Sequence, residues 1–272
     1  MNIADCIKQP WLTLALIGIG TTSCTEEKTG GSVNLFTIQD DIDLGQQLRA
    51  EIEADPETYP LLDPAEYPEA YQYLYNLRDT ILASGLVTHA DDFEWELHII
   101  NDDETLNAFC APGGYIYVYT GLIKFLEYED ELAGVMGHEM AHADLRHSTE
   151  QLTKAYGIGV LISLLTGGDP GLLAEVAGAL VNLSFSRSDE SEADQASVDY
   201  LCTSGYAANG TAGFFEKIEG MEIPEFLSTH PSSATRVEDI NQYALDMECN
   251  LEYNPNSDYQ GLINALPATV AN

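Results

Sequence analysis

The sequence predicts an α+β domain, mainly helical, with one small β-sheet, and three observations carry this. Apolar residues recur at helical spacing in several segments, as at Tyr71, Leu74, Tyr75, Leu77, Ile81 and Leu82. Alternation is confined to one stretch, where Phe93, Trp95, Leu97 and Ile99 interleave with Glu94, Glu96 and His98. That is the pattern of a half-buried strand. A second β pair follows, Asn107–Ala111 and Tyr115–Tyr119, turned by Pro112-Gly113-Gly114.

In chain order, residues 1–23 read as a signal peptide. Lys8 precedes the apolar stretch Trp11–Gly20, which is too short to span a bilayer. Small residues lead to Cys24, the spacing of a bacterial lipoprotein processing site. A plain cleaved signal and an uncleaved N-terminal anchor are the alternatives. Residues 24–38 form a polar tether after the lipidated Cys24, 39–266 a single domain, and 267–272 a tail. Helices are expected over 40–53, 67–83, 129 to about 147, 155–166, 172–185, 189–202, 210–218 and 232–249. The 155–166 and 172–185 pair is strongly apolar but glycine-interrupted. Buried core helices are the better reading, with a membrane-facing role left open. Cys202 and Cys249 are a candidate disulfide for an oxidising compartment, against the alternative of buried reduced thiols.

Charge excludes one class of partner. Ten Lys and Arg against 45 Asp and Glu give a net −35, so the surface repels nucleic acid and anionic headgroups. The acids are spread along the chain and read as a solvated shell.

The chemistry sits in His138-Glu139-x-x-His142. Residues four apart share one helix face, so both imidazoles can reach one ion. Glu139 lies about a hundred degrees round the helix, near enough to bond a water at the metal. Zinc lowers the pKa of such a water, and the glutamate can then take its proton. An exposed polar helix is the bland alternative. A third ligand is needed, and Ser186-Arg-Ser-Asp-Glu190-Ser-Glu-Ala-Asp194 supplies Glu190 at a later helix start. Asp194, one turn on, is placed to orient an imidazole N–H. Two histidines and one glutamate make a catalytic rather than a structural zinc set.

With these residues in place the chain resembles the HtpX-like and BepA-like metallopeptidases, a group that includes the CAAX prenyl protease and the Oma-type peptidases. The resemblance runs over residues 67–245. It rests on Asn107-Ala-Phe-x-Ala-Pro-Gly-Gly-Tyr-Ile-Tyr-Val-x-x-Gly-Leu122 and Glu131–His142 with Arg146-His147-Ser148. Ser186-Arg187, Glu190-x-Glu-Ala-Asp194, Thr229-His230-Pro231 and Arg236-Val237 continue it. It implies a gluzincin fold with the small sheet over the active-site helix, one Zn2+ on His138, His142 and Glu190, and Glu139 as general base. It further implies His230 and Arg236 near the metal, where either supports the oxyanion, or His230 serves as an auxiliary ligand. Gly113, Gly114, Tyr115, Ile116 and Tyr117 would form a cleft-edge strand that pairs with an extended peptide substrate.

Cys110 departs from the pattern; a thiol there could ligate zinc and inhibit, and a buried inert cysteine is the better reading. The transmembrane helices and repeat domain of larger members are not seen, so the chain looks closest to small lipoprotein members. The expected function is a metalloendopeptidase of the bacterial cell envelope acting on misfolded or envelope proteins. It would be held to the membrane by its N-terminal lipid, as an outer-membrane lipoprotein facing the periplasm or the exterior. The rival is a non-proteolytic binding factor for outer-membrane clients.

Overall fold

A computed structural model describes residues 36–221, 224–230 and 235–269. The expectations placed on residues 1–35, Cys24 among them, lie outside those residues, as do Pro231 and 232–234.

The helix over 40–53 is observed as α1 (Ile38–Ala54) and that over 67–83 as α2 (Pro68–Leu82). Thr37 begins α1 through a reciprocal cap with Asp40, and Pro68 starts α2, where its missing N–H costs nothing. Three strands follow: β1 (Glu96–Ile100), β2 (Ala108–Ala111) and β3 (Tyr115–Tyr119). Glycines at +76° and +86° make the turn between β2 and β3, a backbone that other residues rarely adopt.

The sheet order is β1-β3-β2, with β3 parallel to β1 and antiparallel to β2. The expectation that Tyr115, Ile116 and Tyr117 form an edge strand is therefore corrected. Both sides of β3 are taken by its neighbours, and β2 is the outer strand on the side that carries Cys110. The half-buried reading of the first strand is also corrected, since β1 is buried beyond Glu96. One sheet face meets α2 and the central helix through Leu97, Ile99, Ile116 and Val118. The other presents Tyr115, Tyr117 and Phe109 to Leu44, Leu48 and Ile52 of α1.

Beyond the sheet come α3 (Thr120–Phe125), α4 (Glu129–Asp144), α5 (His147–Tyr156), α6 (Ile158–Leu165) and α7 (Pro170–Leu180). They are followed by α8 (Arg187–Cys202), α9 (Gly210–Ile218), α10 (Pro224–Thr229), α11 (Arg236–Asp246) and α12 (Tyr259–Ala265). The α4 helix stops short of the expected His147. Arg146 turns left-handed at φ +64° and sends its guanidinium back to Asp41 and the Phe36 carbonyl. Close approach buries α4 on all sides. A Cβ at Gly134 would lie 2.1 Å from the Thr211 amide nitrogen, and one at Gly210 would lie 1.9 Å from the Asp130 carbonyl oxygen. Only glycine at that crossing lets α4 and α9 touch backbone to backbone.

The 155–166 segment is two helices rather than one, because Gly157 at φ +81° ends α5 and begins α6. The α6 and α7 helices are core helices on one face only. They bury Leu161, Leu164, Val176, Ala177 and Leu180, while Ile162 is 48% exposed. Among the described residues no single helix is long and apolar enough to cross a membrane; α6 and α7 together reach that length and composition but are bent by 117°. The solvated-shell reading of the acids holds only in part. Asp130 accepts from the Ala207 and Asn254 amides, and Asp144 from Thr88, His89 and Tyr200, all inside the fold. Cys202 and Cys249 are joined, as one of the two alternatives expected, and Cys110 is free and buried.

His98 on β1 is buried, and burial lowers its imidazole from 6.5 to about 4. An unfolded chain binds this proton at a pH where the fold refuses it. The neutral ring's stability is therefore complete above 6.5 and lost as pH falls through 4. The displacement corresponds to about 3 kcal/mol. In urea titrations with chelator present, His98→Phe is expected to flatten the stability slope between those two values; an unchanged slope would assign it to other groups.

Candidate active site

The centre of α4 brings the sequence-predicted ligands together. His138 and His142 share one face, with their Nε2 atoms 3.0 Å apart. Glu190 enters from the start of α8, which the cap between Ser186 and Asp189 fixes in place. The Ser186 amide donates to Asp189 Oδ2 at 2.9 Å and the Asp189 amide to Ser186 Oγ at 3.2 Å. Its carboxylate oxygens stand 3.6 Å from His138 Nε2 and 3.5 Å from His142 Nε2. His230, just after α10, adds Nδ1 at 3.3 Å from His138 Nε2 and 3.0 Å from Glu190 Oε1. All four ligand atoms lie within 4.8 Å of one another, and all four residues are buried.

The spacing fits zinc. Ligand atoms bonded at ~2.0–2.2 Å to a tetrahedral ion stand roughly 3.3–3.6 Å apart. Separations of 3.3, 3.5 and 3.6 Å fall in that range, and the other two, at 3.0 Å, lie just below it. Three imidazole nitrogens and one carboxylate converging in a buried pocket are a donor set that a cation can satisfy together.

The surroundings orient these donors. Asp194 Oδ1 lies 3.0 Å from His138 Nδ1, as the sequence reading placed it. His147 does the same for His142, Nδ1 to Nδ1 at 2.9 Å. Sequence reasoning named His147 only as part of a motif and gave it no role. Its signal was a histidine five residues beyond His142, just past the helix end. Phe185 stacks on His142 with centroids 3.9 Å apart, and Phe226 on His230 at 4.5 Å.

Arg236 lies beside the ligands. Its Nη1 lies 2.6 Å from Glu190 Oε2, and Nε and Nη2 donate to Asp194 at 2.8 and 2.7 Å. The guanidinium bridges the two carboxylates.

The electrostatics follow from burial and pairing. Burial opposes ionisation of Glu190, but His230, His138 and His142 outweigh it and hold the carboxyl far below its usual range. Burial likewise works against a charged His138, yet Asp194 and Glu190 lift it to about 9. His142 goes the other way, pushed well down by burial with His138 and His230 beside it. Burial raises Glu139. Its Oε1 is buried without a hydrogen-bond partner, 3.3 Å from His230 Nε2. A carboxyl raised in this way holds a proton more readily than a free glutamate does.

Glu139 also lines a narrow cavity with Phe109, Cys110, Leu183, Phe185 and His230. The β2 backbone is tied there by Ser148 Oγ donating to the Cys110 carbonyl at 3.0 Å. Burial raises the Cys110 thiol, and Cys110 is not among the converging ligands.

A helix carrying two histidines and a base, completed by a carboxylate from a second helix, defines a metallopeptidase domain. By its match to Peptidase family M48 over residues 76–244, the chain belongs to that family of zinc metallopeptidases. It is similar to the mitochondrial metalloendopeptidase OMA1 of Schizosaccharomyces pombe, 30% identical over 198 residues, covering 70% of this chain and 57% of the relative. The Arabidopsis thaliana OMA1 is 34% identical over 158 residues, 57% of this chain and 32% of the relative. The β-barrel assembly-enhancing protease of Escherichia coli K12 is 29% identical over 187 residues, 61% and 38%. The chain thus spans about half or less of the length of these relatives.

Proposed function

We propose that the chain is a zinc-dependent endopeptidase of the cell envelope that cuts unfolded or misassembled proteins. The observation that carries this reading is Glu139 standing on the same helix as two of four convergent metal donors. His138, His142 and Glu190 would hold the zinc, which would supply a Lewis acid toward the scissile carbonyl and water. Glu139 takes the proton of the attacking water and hands it to the departing amine. Asp194 and His147 hold the two histidine rings, and Arg236 holds Glu190 and Asp194.

His230 occupies the position of a fourth donor, which favours the auxiliary-ligand role over the oxyanion role. A catalytic site needs that position open, and the ligands are all buried. In this reading His230 would withdraw, or the ion would take a fifth ligand, when substrate binds. Substrate would then lie along β2, the outer strand beside the cavity, by main-chain pairing.

The envelope assignment rests on the signal-like residues 1–23, on Cys24 as lipid anchor, and on a disulfide suited to an oxidising compartment. Relatives named as a mitochondrial endopeptidase and a β-barrel assembly-enhancing protease support membrane-associated protein substrates.

The test is cleavage of an unfolded polypeptide by purified protein. Chelation is expected to abolish it and zinc to restore it; indifference to chelator would end the reading. In the same assay His230→Ala should cut several-fold faster than wild type while releasing zinc more readily. A loss of about 10²–10³-fold would instead place His230 on the transition-state oxyanion.

A further inference from the structure

We propose that Glu53, Glu96 and His98 form a second cation site, for a first-row transition-metal dication such as zinc, on the sheet face that α1 covers. The three residues come from the last turn of α1 and from β1, and one ligand atom of each lies within 4.8 Å of the other two. His98 Nε2 stands 3.6 Å from Glu96 Oε1. Glu53 is the exposed member, free to close the remaining distance by a change of rotamer.

The independent observation is the state of His98. The residue is only 7% exposed, and its buried Nε2, facing these carboxylates, has no hydrogen-bond partner. Leaving such an atom unsatisfied costs about 1–3 kcal/mol, so it calls for a partner. The ring cannot turn away easily, because it stacks on Tyr117 at 4.7 Å and 15°, and Tyr117 stacks on Phe109 at 4.6 Å and 10°. Burial keeps the imidazole neutral at physiological pH, the form that offers a lone pair.

Arg49 is the present occupant of the charge. It donates to Glu53 at 2.8 and 3.4 Å and to Glu96 Oε2 at 3.2 Å. One guanidinium against two carboxylates leaves a net negative charge, with Glu96 Oε1 still turned to His98. One imidazole with two carboxylates favours zinc, manganese or iron over calcium and magnesium, which take oxygen ligands. A bound ion would clamp the end of α1 to β1. The stacked row His98, Tyr117 and Phe109 then crosses all three strands to the cavity beside Glu139.

Metal content of the full chain, loaded with zinc and freed of excess, tests this apart from catalysis. Wild type is expected to hold about two zinc ions and His98→Phe about one, with cleavage of unfolded polypeptide unchanged. Glu96→Gln, which keeps the ring stack, should weaken the second ion by at least about tenfold. Arg49→Met should tighten it, by removing the competing cation. One ion in wild type, or a second ion that survives His98→Phe, would overturn the proposal. If His98→Phe fails to fold, Glu96→Gln and Arg49→Met decide by the same measurement.

Discussion

Glu139→Gln is expected to slow peptide cleavage by about 10²–10⁴-fold, the range that a positioned general base supplies. Zinc content should not change, because Glu139 is not among the four converging donors. The amide is nearly the same size, so the buried pocket around it keeps its shape. Only the capacity to accept and return a proton is lost. Comparing single turnovers of an unfolded polypeptide by wild type and variant, with zinc measured on the same samples, separates chemistry from assembly. Turnover within a few-fold of wild type would remove Glu139 from the mechanism. Such a result would revive a binding factor in which cleavage is incidental.

The largest effect on stability is expected from Arg236→Met. The replacement fills similar space but leaves Asp194 and Glu190 without the guanidinium that now lies 2.6–2.8 Å from both. Both carboxylates are buried. Breaking one side of such a network costs about 3–5 kcal/mol, because a charge is left uncompensated away from water. Zinc binding should recover part of the loss, since the ion supplies positive charge next to Glu190. Arg236→Lys should recover less than its charge suggests, because an ammonium cannot bond two carboxylates at once in that fork geometry. Urea titrations with and without zinc measure all three, and a loss below about 1 kcal/mol for the methionine variant would refute the positioning role.

Much of this centre was legible because its signals are local. His138, Glu139 and His142 sit within two helical turns, and the Ser186 to Asp189 cap marks the start of α8 in four residues. The β2–β3 hairpin was announced by Pro112-Gly113-Gly114. Sheet order was not, since β1 joins β3 in parallel through contacts that no turn signal encodes, and so β3 was taken for an edge. The end of α4 escaped because Arg146 is an ordinary helix former. Its left-handed turn is set by Asp41 and Phe36, more than a hundred residues earlier. Short helices such as α3 and α12 carry too few turns for a period to show. The α6 and α7 pair is apolar enough for a core yet half exposed, and composition alone does not distinguish the two. His230 and Arg236 were found through family resemblance. Their partners, His138 and Glu190 for the one and Glu190 and Asp194 for the other, depend on how α10 and α11 fold back on α8.

The bond between Cys202 and Cys249, 47 positions apart, closes a ring of chain that contains α9, α10, His230 and Arg236. A single nick anywhere between residues 203 and 248 would leave the two pieces covalently joined, and no fragment carrying the fourth donor or the gripping arginine could diffuse away. On a gel such a clipped molecule would run as one band until reduced. A protein damaged in this way has the means to stay assembled.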